Sequence, residues 1–392
     1  MRVAGTLMKW CVAPLGAVVA FVAVVSAAAP AGAQECRPVE PRLRNHVMTL
    51  ASAEYQGRRG PGGIKAADYI VARFRELGLA PLFGDAYVQS IPGQGGAGPI
   101  GRNVGALLRG SDPQLCQQYV ILSAHFDHLG SRGDVFYPGA DDNASGVAMM
   151  LEVARSVVEG KEKPRRSLMF VSFDLEEAGL FGSRYFVEHP PVPLEKVGLF
   201  ITADMIGRSL GGVCQPYVFV MGTEHVPSLR AWLDAAARGG SVQVGTLGSD
   251  LLLINRSDYG PFRSRRVPYL FFSTGENPVY HTPRDTPDTV NYPKLTAISR
   301  IIDRVVHQAA VADRLPPWSA GSEPSMAEAL TIRDVLRTLL AHRADLDIGA
   351  ANGLLMSNAL KTLDAIAARG MFTPEERTGV VRVARIVLMT VF

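Results

Sequence analysis

Cysteine is scarce in this chain: there are four in 392 residues, at Cys11, Cys36, Cys116 and Cys214. Their scattered spacing argues against a cysteine-built metal site. A surplus of one charge is missing too. Forty lysines and arginines stand against 37 acidic residues, and the densest basic run is only Arg263-Ser264-Arg265-Arg266. That leaves no electrostatic footprint for nucleic acid. No internal repeat or low-complexity tract is evident, so a repeat array is not expected. What is present, 47% hydrophobic and 20% charged residues, fits a globular protein with a sizeable core in one large domain or two ordinary ones.

Long apolar runs are confined to the N-terminus. Arg2 and Lys9 precede an apolar stretch from Cys11 to Ala29, and Ala31-Gly32-Ala33 forms a small-residue cleavage pattern before Gln34. Residues 1–33 therefore read as a bacterial-type signal peptide, with an uncleaved anchor as the alternative. No cysteine sits at the cleavage point, which argues against a lipoprotein. A secreted or periplasmic protein is expected, with no membrane contact after cleavage. The oxidising compartment then permits one disulfide among Cys36, Cys116 and Cys214, and the spacing does not choose the pair.

Downstream, helical patterns cover Arg42 to Leu79, interrupted by the glycine-rich loop Gly57 to Gly63. A solvated loop is the expectation for Arg58 and Arg59. Strands are expected at Asn103–Leu108, Tyr119–Ser123, Ser167–Phe173, Leu199–Ala203, Tyr217–Met221 and Val267–Phe272. Helices are expected at Val147–Val158, near Gly179–Glu188, at Pro227–Ala237 and at Leu295–Val311. This alternation predicts an α/β three-layer sandwich: a mixed, mostly parallel sheet with helices on both faces. After a proline-rich break at Pro316-Pro317, residues 316–392 read as a linker and a C-terminal helical appendage carrying no ligand cluster.

Several strands end abruptly at metal-ligand residue types. The run Tyr119-Val120-Ile121-Leu122 leads into His125 and Asp127, Ser167–Phe173 is followed by Glu176 and Glu177, and Leu199–Ala203 by Asp204. Open α/β sheets place their sites at this carboxyl edge. His125, Asp142, Glu177, Asp204 and His281 make two imidazoles and three carboxylates, with Glu176 beside them, a donor set suited to zinc and large enough for two ions. Asp141, Asp142 and Asn143 also suit the cap of the helix that follows, and Glu176 and Glu177 the start of a helix. His128, His189, His225 and His342 are expected to be structural or solvated.

The segments AHFDHLG, PGADDNASG, DLEEAGLFGS, TADMIG and PVYHTPRDTPD together resemble the successive motifs of the aminopeptidase Y family. These are co-catalytic zinc exopeptidases that include bacterial leucine aminopeptidases, with glutamate carboxypeptidase and glutaminyl cyclase as relatives. The match runs from about Arg42 to Val311 in the family's order, which is far more specific than any single motif. The resemblance implies a zinc peptidase domain over residues 34–315, acting on peptides. It implies Zn2+ as two ions bridged by Asp142, with His125 and Asp204 completing one and Glu177 and His281 the other. Glu176 would be the general base and Tyr280 an oxyanion stabiliser. Asp127 would orient His125 from behind, and Asp285 would support the region of His281. Where many bacterial members carry His, this chain has Tyr259, in a segment that borders the substrate in the family.

The expected activity is a metallopeptidase, an aminopeptidase first. A carboxypeptidase or dipeptidase on the same site is the nearest alternative, because no segment identifies the group that would bind a free amine or a free carboxylate. A glutaminyl-cyclase-like transferase and a non-catalytic ectodomain are the readings from other classes; the second would call for lost ligands, and all are present.

Overall fold

The computed structural model describes residues 37–93, 95, 98–251, 255–319 and 324–391. Helices α1 (Glu40–Leu50) and α2 (Pro61–Glu76) precede an antiparallel flank of strands β1 (Ala80–Pro81), β2 (Val88–Pro92) and β3 (Pro99–Leu108). Strand β4 (Tyr119–His125), a small hairpin of β5 (Ser131–Arg132) and β6 (Val135–Phe136), helix α3 (Gly146–Glu159) and strand β7 (Ser167–Phe173) follow. Next come α4 (Phe181–Glu188), β8 (Val197–Ala203), β9 (Tyr217–Met221), α5 (Leu229–Ala237) and β10 (Gln243–Thr246). Helix α6 (Tyr259–Ser264), strand β11 (Tyr269–Ser273) and helix α7 (Tyr292–Val311) lead to α8 (Met326–Ala341), α9 (Ala350–Arg369) and α10 (Pro374–Val391).

The sheet runs β1-β3-β7-β4-β8-β11-β9-β10, with β2 also on β3. Its centre, β7-β4-β8-β11, is wholly parallel, and antiparallel strands flank it. Sequence composition explains this layout. The central strands are apolar at nearly every position, as strands covered on both faces must be. Period-two alternation sends Val120, Leu122 and Ala124 of β4 and Leu168 and Phe170 of β7 into one core. That core is shared with α1, α2, α3, α5 and α7. The intervening Ile121, Met169, Val171 and Phe173 enter a second core with Phe186 of α4 and Phe262 of α6.

The expected sandwich is therefore present, and the residues after Pro324 are part of its packing. Ile332, Leu336, Met356, Leu363 and Val380, from α8, α9 and α10, share a third apolar cluster with Tyr217 and Phe219 of β9. Strands β1, β2, β5, β6 and β10 and helix α6 are the elements that periodicity did not single out; β2 and β10 lie at the flanks of the sheet, and β2 ends in a proline, as edge strands tolerate. Cys116 and Cys214 are both free and buried, so they do not form the permitted disulfide with each other. Residues 1–36, which hold the leader and Cys36, lie outside the described residues. Among those described, no helix is long and apolar enough to cross a membrane.

Candidate metal centre

Register brings the expected residues together. His125 ends β4 opposite Phe173, the last residue of β7, and Ser123 lies opposite Thr202 of β8. His125, the Glu176-Glu177 pair and Asp204 thus leave adjacent strands at one edge. Asp142 arrives from the segment Ala140–Ser145 before α3, and His281 from the loop after β11. His125 Nε2 lies 3.2 Å from Asp204 Oδ1 and 3.4 Å from Asp142 Oδ1. On the other side of Asp142, His281 Nε2 lies 3.2 Å from Oδ2 and 3.0 Å from Glu177 Oε2.

These spacings fit a pair of ions. Donors about 2.0–2.1 Å from a tetrahedral zinc stand roughly 3.3 Å apart. Asp142 Oδ2 and His281 Nε2 are both buried and neither has a hydrogen-bond partner, although they face each other. They aim at a common centre rather than at one another. Electrostatics agrees. Burial works to lower the His281 imidazolium, but the carboxylates of Asp142 and Glu177 outweigh it and push its pKa up to about 10. Burial likewise works to raise Asp142, and His128, His125 and His281 hold it well below the usual carboxylate range. Asp142 is thus held ionised, the state in which a carboxylate can hold a cation.

Two groupings depart from the expected ligand set. Donor atoms of His125, Glu176 and Asp204 lie within 4.8 Å of one another, so Glu176 stands within reach of the first centre. His128, expected to be structural, groups in the same way with Asp142 and Glu177. Its Nδ1 lies 2.8 Å from Glu177 Oε1. The only sequence signal was its spacing from His125, across irregular backbone whose side-chain directions have no period. Glu176 itself is half-buried. Burial holds its carboxyl well above the usual range, opposed by His125 and reinforced by Asp204, Asp258 and Asp127.

The supporting groups are specific. Asp127 sits behind His125, its carbonyl 3.2 Å and its carboxylate 3.5 Å from Nδ1. That carboxylate also accepts from the backbone N–H groups of Glu176 and Glu177. Asp285 does not reach His281; it accepts from the N–H groups of Asp141 and Asp142 and from Arg208. Asn143 accepts from Gly146 N–H at the start of α3, whereas Asp141 turns to Gly207 N–H. Arg58, expected on a solvated loop, is fully buried. Its five N–H groups meet the carbonyls of Phe126, Leu50, Pro138, Gly139 and Asp142. Three of the eight non-glycine residues with positive φ among those described, Leu175, Met205 and His281, are candidate ligands or lie within two positions of one. Strain collected at one edge is a mark of a functional site.

Tyr280 stacks on His281, with ring centroids 3.8 Å apart, and lines a cavity with Asp142, Glu176, Glu177 and Asp204. Tyr259 does not line it; its ring is stacked in the second core between Tyr269 and Phe271.

Residues 103–306, just over half of the chain, match the profile of peptidase family M28, and the chain belongs to that family. Aminopeptidase YwaD of Bacillus subtilis is 28% identical over 207 residues, which is 50% of this chain and 42% of the relative. Leupeptin-inactivating enzyme 1 of Streptomyces exfoliatus is 28% identical over 272 residues, 65% and 56% of the two chains. The chain thus spans about half the length of these relatives. Among solved structures, the Legionella pneumophila LapA aminopeptidase superposes with a TM-score of 0.55 at 21% identity, covering 71% of this chain and 74% of that one. Porphyromonas gingivalis glutaminyl cyclase does so with 0.55 at 20% identity, covering 69% and 98%. These likenesses establish the fold, which hosts more than one chemistry.

Proposed function

We propose that this chain is a secreted or periplasmic metallo-exopeptidase that removes N-terminal residues from peptides, using two zinc ions that share Asp142. The observation that carries this reading is the double donor set around Asp142, with Glu176 half-buried beside it and lining the same cavity. His125 and Asp204 would hold one ion, Glu177 and His281 the other, with His128 against Glu177. When bound, the ions supply Lewis acidity to a water and to the scissile carbonyl. Glu176 takes the proton of that water and passes it to the leaving amine. Tyr280 donates to the oxygen that gains charge, and Asp127 keeps the His125 ring in place.

The described lining offers no ready site for a free C-terminus. Arg256, which lines it, is paired with Glu276 at 2.6 Å, so among the described lining residues no unpaired cation waits for a free carboxylate. Of the lining carboxylates, Asp142, Glu177 and Asp204 are assigned to the ions, Glu176 to the proton transfer and Glu276 to Arg256. The aminopeptidase names of two relatives favour the N-terminal end.

The test is a peptide panel with free, N-acetylated and C-amidated ends, analysed by mass. Loss of one N-terminal residue, abolished by acetylation but not by amidation, is expected. Loss on amidation instead would identify a carboxypeptidase, and cyclisation of an N-terminal glutamine with one bound zinc a transferase. Glu176→Gln is expected to lower kcat by ~10²–10⁴-fold while two equivalents of zinc stay bound. Undiminished hydrolysis would remove the assigned base.

A further inference from the structure

The cavity at the carboxylates is also lined with hydrocarbon. Its volume is ≈ 170 Å³, and its polar lining includes Asp142, Glu176, Asp204 and Tyr280, with the ion pair of Arg256 and Glu276. Phe219 and Phe271 form the sheet side. The opposite wall comes from Leu336 and Leu339 of α8 and from Ala384 and Val387 of α10. All four belong to residues 326–391, outside the segment that matches the family, which ends at residue 306.

We propose that α8 and α10 are the specificity wall of this enzyme, completing a subsite for one large apolar side chain next to the bond that is cut. The inference rests on the peptidase reading above. A cavity lined by both carboxylates and hydrocarbon orients its occupant: the reacting amide lies among the carboxylates and the side chain points into hydrocarbon. Its size sets the class of side chain, since an apolar cavity of ~150 Å³ already accommodates a benzene ring. Leucine, methionine and phenylalanine side chains fit. Glycine and alanine leave the space unfilled, and a charged side chain would be desolvated against the leucines and phenylalanines.

The closing experiment uses the full chain, two opposed variants and a series of N-terminal residues from glycine to tryptophan on one leaving group. Wild-type kcat/KM is expected to be ~10–100-fold higher for leucine and phenylalanine than for alanine. Ala384→Phe places a ring in the cavity and should lower the phenylalanine substrate by ~10-fold or more, with the alanine substrate kept within about twofold. Leu339→Ala enlarges the cavity and should move the preference toward tryptophan. Opposite shifts cannot come from general loosening of the fold. A flat wild-type profile, or the same proportional loss on every substrate in both variants, would overturn the proposal and leave the helices a packing role. Should no peptide be cleaved at all, the peptidase reading fails separately, and calorimetry decides the subsite. Phenylalaninamide is expected to bind ~10-fold tighter than glycinamide, and to lose that advantage in Ala384→Phe; equal binding would end the proposal.

Discussion

Two buried arginines hold the two walls of the cavity, and they are satisfied in opposite ways. Arg58, behind the carboxylate wall, spends all five N–H groups on backbone carbonyls, two of them those of Gly139 and Asp142. Arg377, on α10 behind the apolar wall, makes paired bonds to Glu328 of α8 and to Asp250 in the turn Ser249–Leu251. The first uses neutral dipoles to fix a loop, which leaves its charge free to face Asp142, Asp285, Asp127 and Glu177. Burial lowers its pKa to about 10 and those four carboxylates work against the fall. The second neutralises itself locally, its two carboxylates raising its pKa, and joins segments more than a hundred residues apart in sequence. The carboxylate wall is held by backbone geometry, the apolar wall by side-chain pairing.

If that contrast is right, Arg58→Met should have the larger effect. It strands up to five buried carbonyls without donors and removes the cation facing the site, so a loss of about 3–5 kcal/mol is expected by urea unfolding. Bound zinc should fall as the Asp142 backbone drifts. Arg58→Lys should rescue only part, because an ammonium offers three donors where five carbonyls converge. Arg377→Met should cost less, about 2–3 kcal/mol, because Asp250 is part-exposed and water can take over its bonds. Its zinc content should stay at the wild-type level while selectivity for large apolar residues declines. Equal zinc loss in both variants would erase the distinction between the walls.

The carboxylate wall was legible in the sequence, and the reason is local. β4, β7 and β8 are apolar to their last residues and then change to ligand types, so His125, Glu176, Glu177 and Asp204 could be placed at one edge without knowing the pairing. Beyond the strand ends that logic weakens. His128 follows His125 on irregular backbone, where spacing does not tell direction. Asp285 is near His281 in sequence, yet the intervening turn carries its carboxylate to the N–H groups of Asp141 and Asp142. Arg58 sits in a glycine-rich loop that has every mark of a solvated one, and only the convergence of five distant carbonyls makes it a core residue. The apolar wall was hidden for a different reason. Periodicity identifies α8 and α10 as helices with apolar faces, but what covers a face is a long-range fact. Nothing near Leu336 or Val387 names Phe219 or the metal centre as its neighbour.

Helix α9 provides the smallest and most discriminating test, because it shares the apolar cluster of the C-terminal helices while none of the described cavity-lining residues belongs to it. It ends at Gly370, whose φ of 71° is left-handed and whose N–H closes the last turn on the Ile366 carbonyl. A Cβ at this position would meet nothing within 4 Å, so Gly370→Ala isolates the cost of that backbone conformation. The expected loss is about 1 kcal/mol, read as a small downward shift in the urea midpoint with an unchanged slope. Zinc content and the ranking of substrates should not move. If the ranking did move, selectivity would be following the stability of the C-terminal helices in general, and the separate role of α8 and α10 as the wall of the cavity would be lost.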